Sequence, residues 1–140
     1  MTQVALTISA EADLIRVRQV LRARCQRVGL GLVDETKLIT AGSELARNIL
    51  THAVGSRGGV RVEDVARSGR QGVKATFFDE GPGIPDVDQA LVDGFSTSGS
   101  QGIGLPGSKR LVDEMTITTE VGSGTVVEIV KWRRDRSWRP

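Results

Sequence analysis

The sequence is poor in the residues that most often carry chemistry or cross-links: one cysteine, one histidine, no tyrosine and four prolines in 140 residues. A lone Cys25 cannot close an internal disulfide, and without a cysteine and histidine cluster there is no metal-ligand spacing of the zinc type. No apolar run approaches the roughly 18 residues that read as a membrane span. The N-terminal MTQVALTISAEAD has neither the basic start nor the apolar stretch of a signal peptide, so a cytoplasmic protein without a membrane partner is expected. No G-K-[ST] occurs either, which excludes a Walker A phosphate loop. What is present, 39% hydrophobic and 26% charged residues, is the balance of an ordinary globular chain, and the length suits one domain over 1–140.

The net charge of +2 is unevenly spread. The last ten residues, KWRRDRSWRP, carry five basic groups against Asp135, a net +4 that leaves the rest of the chain at −2. Residues 131–140 are read as a basic, solvated tail with a tryptophan folded back onto the body, and no nucleic-acid partner is expected.

Val4, Leu6 and Ile8 alternate with polar residues as in a half-buried strand, and Ser9 offers an N-cap to a helix running to about Val28. Its stripe of Leu14, Val17, Leu21 and Val28 takes in Cys25, which makes the thiol a core residue. Gly29 and Gly31 stop this helix. Asp34 can cap a second, from about Glu35 to Ala53, with Leu38, Ala41, Leu45 and Ile49 at helical spacing. A hairpin is predicted from strands near 60–65 and 73–78 around the turn SGRQG, and a third helix from about Leu105–Gly107. The final pair of strands, MTITTEV and TVVEIVKW, flanks a GSG turn at 122–124. Tight turns between strands require a largely antiparallel sheet, and three helices must share one of its faces. The expected fold is a two-layer α/β sandwich, a mostly antiparallel mixed sheet with helices on one face.

Between Gly81 and Gly104 the chain turns to glycine, serine, proline and aspartate, a length of loop that in a compact domain serves as a lid or binding loop. It is entered through FFDEGPGIPD, where a strand ends on Asp79 and breaks into Gly81, Pro82, Gly83 and Pro85. Such a break sets a carboxylate beside bare backbone where a ligand can approach, although a surface turn has the same composition. In SELARNIL, Glu44 and Asn48 lie one helical turn apart at the border of the apolar stripe. An asparagine oxygen is a hard neutral ligand for Mg²⁺, and a carboxylate beside it can take a proton from an attacking hydroxyl, although an E-x-x-x-N pair is also common on solvated faces. His52, one turn further, reads as structural. In QGIGLPG, Gly102, Gly104 and Gly107 open a helix, and bare backbone at a helix N-terminus suits phosphate. The segment follows a long loop rather than a strand, which excludes the dinucleotide fingerprint.

Taken in order, ELARN from Glu44 to Asn48, DEGPGI from Asp79 to Ile84, GIGLPG from Gly102 to Gly107, and Gly124-Thr125 resemble the four boxes of the GHKL ATPase and kinase superfamily, with its Bergerat fold. Within it, the short chain and the stretch DGFSTSGSQGIGLPG look most like the RsbT-like serine/threonine kinases of the bacterial stressosome, with anti-sigma-factor kinases as the nearest alternative. The resemblance implies ATP and Mg²⁺ as cofactors. It implies that Asp79 accepts a hydrogen bond from the adenine amine with Thr125 assisting, that Gly81 and Gly83 form the floor, and that Ile84 closes on the ring. Asn48 would hold Mg²⁺, Glu44 would be the catalytic base, and Gly102, Gly104, Leu105 and Gly107 would meet the phosphates under a lid at about 85–101. No lysine or arginine falls between Gly81 and Gly107, so charge compensation would come from Mg²⁺, the helix terminus, or Arg47, Lys109 and Arg110. The implied partners are STAS-domain antagonist and scaffold proteins and a PP2C-type phosphatase. A nucleotide-gated binding module with little turnover is the third reading.

Overall fold

A computed structural model describes residues 3–52, 58–80, 104–120 and 124–134. Along the chain these form β1 (Gln3–Thr7), α1 (Glu11–Val28), α2 (Leu32–His52), β2 (Gly58–Arg67), β3 (Arg70–Asp79), α3 (Gly104–Leu111), β4 (Glu114–Glu120) and β5 (Gly124–Trp132). The strands make one sheet in the order β1-β2-β3-β5-β4, and every pairing among them is antiparallel. Because β5 lies between β3 and β4, those two strands run parallel without touching, and the stretch containing α3 connects them.

Local chemistry sets the element ends, at two places differently from the sequence reading. Ser9 does not cap α1. The N-cap position is Ala10, whose side chain can accept nothing, and Asp13 reaches back instead, its carboxylate accepting from the backbone N–H of Ser9 at 2.9 Å and of Ala10 at 3.0 Å. Those two donors, Ser9 first, hold the Asp13 carboxyl below the usual aspartate range. Asp34 does not cap α2, which begins two residues earlier. There Glu35 N–H already bonds Gly31 O at 2.9 Å, and the Asp34 carboxylate turns to Lys131 and Arg134. The β2–β3 connection is tighter than SGRQG, only Ser68-Gly69, both at positive φ (53° and 81°), as the right-handed twist of a two-residue hairpin favours.

One face of the sheet takes the helices. Val60, Val62, Val73, Ala75, Phe77, Val127 and Ile129 meet Leu14, Val17, Leu21 and Cys25 of α1 and Leu38, Ala41, Leu45 and Ile49 of α2 in a single core. Leu21 and Leu38 are fully buried, and truncating either to alanine would cost about 2–5 kcal/mol. The other face is polar, with Lys74 3.8 Å from Glu128 and the Arg61 guanidinium 5.8 Å from the Phe78 ring centroid.

The register gives the sheet two unlike ends. At one, Gly58, Asp79 and Thr125 stand side by side. At the other are the hairpin residues Arg67 and Arg70, Trp132 and Glu114. Lys131 and Trp132 are buried strand residues of β5, so the basic C-terminal stretch enters the body before residue 133. Among the described residues no helix is long and apolar enough to cross a membrane.

Candidate nucleotide site

Asp79, the last residue of β3, pairs with Gly58 on one side and Thr125 on the other. A side chain at Gly58 would run into Ile49 Cγ2 of α2 and crowd Phe78 O, so α2 lies against this end of the sheet one residue past Asn48. Thr125 is buried, with its Oγ1 3.1 Å from Thr119 Oγ1, while Thr119 Oγ1 donates to Gly124 O at 3.2 Å. With the Thr119 proton on that carbonyl, Thr125 donates in the hydroxyl pair and keeps its own oxygen as an acceptor. Gly124 adopts φ +123°, and a Cβ there would collide with the Asp79 carbonyl oxygen. Only glycine lets β5 pass this close behind Asp79.

On α2, Glu44 is buried and its Oε2 has no hydrogen-bond partner among the described residues. A buried acceptor left unmatched costs on the order of 1–3 kcal/mol, the mark of a group kept for a ligand or a proton. Asn48, one turn on, is half-buried. Among the described residues no three His, Cys, Asp or Glu side chains gather as a metal site. One amide oxygen is therefore the kind of donor set that fits Mg²⁺ bound chiefly through phosphates and water.

Gly104 begins α3 at φ +68°, followed by half-buried Leu105 and buried Pro106 and Gly107. α3 packs on α2 and ends where Leu111 O accepts from Lys131 Nζ at 3.1 Å, at the far end of the sheet. Its N-terminus, carrying the unpaired N–H groups that suit an anion, is the end turned away from Lys131. Arg47 is half-buried, and Lys109 and Arg110 lie exposed on α3. Gly81, Gly83, Ile84, Gly102 and the lid at about 85–101 lie outside the described residues, as does the side chain of His52.

Sequence reasoning missed Gly58, Thr119 and Ser108. The glycine doublet before an apolar strand is a readable signal of close approach. Thr119 has none, since it pairs with Thr125 only across the β4–β5 register. Ser108, fully buried with its Oγ unmatched among the described residues, had none either.

Residues 33–135 match the family of histidine kinase-, DNA gyrase B- and HSP90-like ATPases. The chain belongs to this family. Within it the chain is RsbT-like: it is 44% identical over 132 residues to the serine/threonine-protein kinase RsbT of Bacillus subtilis, covering 94% of this chain and 98% of that one. It is 31% identical to the anti-sigma F factor of Geobacillus kaustophilus over 105 residues, 71% of this chain and 70% of the relative. Among solved structures, the RsbU and RsbW domains of a Mycobacterium tuberculosis protein superpose with TM-score 0.64 at 19% identity, over 97% of this chain and 34% of that one. The mycobacterial sensor histidine kinase MprB superposes with TM-score 0.59 at 20% identity, over 94% and 100%. Both share the fold of the family, the two-layer Bergerat arrangement described above.

Proposed function

We propose that the chain is an ATP-dependent serine/threonine protein kinase that phosphorylates STAS-domain antagonist and scaffold proteins. Freed from them, it activates a PP2C-type phosphatase in a bacterial, cytoplasmic stress response. We read its 140 residues as one such domain whose basic C-terminal stretch, 131–140, starts with the last two residues of β5. The observation that carries this reading is the buried Glu44 Oε2, unmatched among the described residues, one turn before Asn48 in a chain that aligns with the RsbT kinase over 94% of its length.

Asp79, offering only acceptors, takes the exocyclic amine of adenine and would repel a guanine carbonyl. Thr125, with its free acceptor, assists through a water. Gly81 and Gly83 keep the floor low, and Ile84 closes on the base. Gly102, Gly104, Leu105 and Gly107 give backbone donors to the phosphates. Asn48 would hold Mg²⁺, which would supply counter-charge to the phosphates. Glu44 receives the proton of the attacking serine or threonine hydroxyl on Oε2, which takes no hydrogen bond from the described residues.

The 31% identity to an anti-sigma F factor favours a second reading, a kinase that also holds a sigma factor. One experiment tests both. The protein is mixed with Mg-ATP and either a purified STAS protein or a sigma factor, and phosphate transfer and complex formation are measured for wild type and Glu44→Gln. Transfer to the STAS protein should fall about 10²–10⁴-fold in Glu44→Gln while the complex persists. Wild-type transfer in that variant would remove Glu44 as the base, and a stable sigma-factor complex without STAS phosphorylation would favour the second reading.

A further inference from the structure

The end of the molecule opposite Asp79 carries the two most exposed large apolar side chains described, Leu32 at 76% and Val33 at 67%. They sit in the first turn of α2, just past the α1–α2 connection, and cation-bearing residues bracket them. Arg133 lies against Gly29 and donates to Val28 O at 3.4 Å, while Arg134, 70% exposed, reaches Asp34 at 3.4 Å. Arg27 lies in the last turn of α1.

The carboxylates of this end are already spent inside the chain. Asp34 and Asp113 each sit 3.5 Å from the buried Lys131 ammonium, Glu35 meets Arg22, Asp64 meets Arg24 and Arg27, and Glu114 meets Arg67. Among the described residues the side-chain acceptors of Arg133 are neutral, Val28 O and Gln71 Oε1. Arg27 and Arg134 share those carboxylates with Arg24 and Lys131, so these seven cations, Arg133 included, exceed the five carboxylates by two, and the apolar doublet has a net positive rim.

We infer that this surface docks a partner protein through an acidic segment bearing an apolar anchor, at a place separate from the nucleotide site. The charge decides among occupants. A second copy in a two-fold contact would bring this positive rim against itself. The chain's own last residues, with Arg136 and Arg139 against Asp135, are basic as well. An acidic segment alone gains from both the apolar pair and the rim, since opposite charge steers encounter and excludes like-charged competitors. The surface needs neither ATP nor Glu44, so it stands whether or not the kinase reading does.

The test places the photo-crosslinker p-benzoyl-phenylalanine at position 32 of the full chain in its source cells and identifies the crosslinked peptide by mass spectrometry. The expected adduct is to another protein, through a segment of net negative charge with an apolar residue at the junction. Its yield should fall about tenfold or more when Arg133→Glu and Arg134→Glu reverse the rim. Because Arg134 also bridges Asp34, Val33→Ser provides a second variant at an exposed position where folding is not at stake, and it should lower the yield too. An adduct to a second copy, to residues 135–140 of the same chain, or to a neutral or basic segment overturns the inference, as does no adduct or a yield indifferent to both variants.

Discussion

Asp79 and Thr125 face each other as a pair at the end of the β3–β5 ladder, with Gly124 packed against the Asp79 carbonyl. Backbone on both sides thus fixes the position of the Asp79 main chain, and an acceptor on a fixed main chain discriminates better than one on a mobile loop. Asp79→Asn should weaken ATP binding by about 1.5–3 kcal/mol, the worth of one charge-assisted hydrogen bond, which is a tenfold loss or more. Calorimetry on the wild type should show ATP preferred to GTP, and equal affinities would overturn the adenine assignment.

Gly124 and Gly104 should respond differently to alanine. At Gly124 a Cβ meets both an unfavourable φ of +123° and the Asp79 backbone, whereas at Gly104 the nearest atom to an added Cβ is Pro106 Cδ at 3.5 Å. Gly104→Ala then bears only the left-handed backbone cost, about 1–2 kcal/mol. Gly124→Ala adds overpacking of about 1–3 kcal/mol on top of its own backbone cost, and it displaces Asp79. Urea unfolding should rank Gly124→Ala as the less stable variant, and its ATP affinity should drop further than the loss of stability explains.

How much of this was legible beforehand depended on how local each signal was. Helical spacing and glycine stops placed α1 and α2, and the alternation of apolar residues placed the strands, because both patterns reside in neighbouring residues. The Glu44 and Asn48 pair was legible for the same reason. Asp34 was misread as a cap because its partners, Lys131 and Arg134, are about a hundred positions away and compete with the local role that aspartate usually takes. Ser9 was misread because the N-cap falls one residue later, at Ala10, where Asp13 reaches back to accept from the Ser9 and Ala10 N–H groups. Thr119 became part of the site only through strand register, which no single segment encodes.

Lys131 is a buried cation shared by Asp34 and Asp113, with Leu111 O as a third partner at 3.1 Å. Lys131→Met keeps much of the volume but leaves the two carboxylates with only the solvent-screened Arg134 as counter-charge, so stability should fall by about 3–5 kcal/mol. Arg134 reaches the same carboxylates from 70% exposed, where water screens the pair, and Arg134→Ala should cost no more than about 1 kcal/mol. Urea midpoints for both variants check the contrast. Equal losses would mean that the knot is held from the surface rather than by the buried ammonium.

Cys25 is fully buried, and burial first, then the Glu35 and Asp34 carboxylates, push its thiol up to about 12. An unfolded cysteine ionises near about 8.5. Below that pH both states keep the proton and the thiol leaves stability unchanged. Above it the unfolded chain releases the proton while the folded one holds it, so stability falls with rising pH until the folded thiol itself titrates. Native protein at pH 8 should therefore resist a disulfide reagent such as Ellman's, reacting only as fast as it unfolds, and should react at once in urea. Cys25→Ala removes the titrating group, so above about pH 8.5 its urea midpoint should decline less steeply than the wild type by the equivalent of one proton. Parallel pH profiles for the two proteins, or rapid labelling of the native thiol, would show that Cys25 is not sealed in the core between α1 and the sheet.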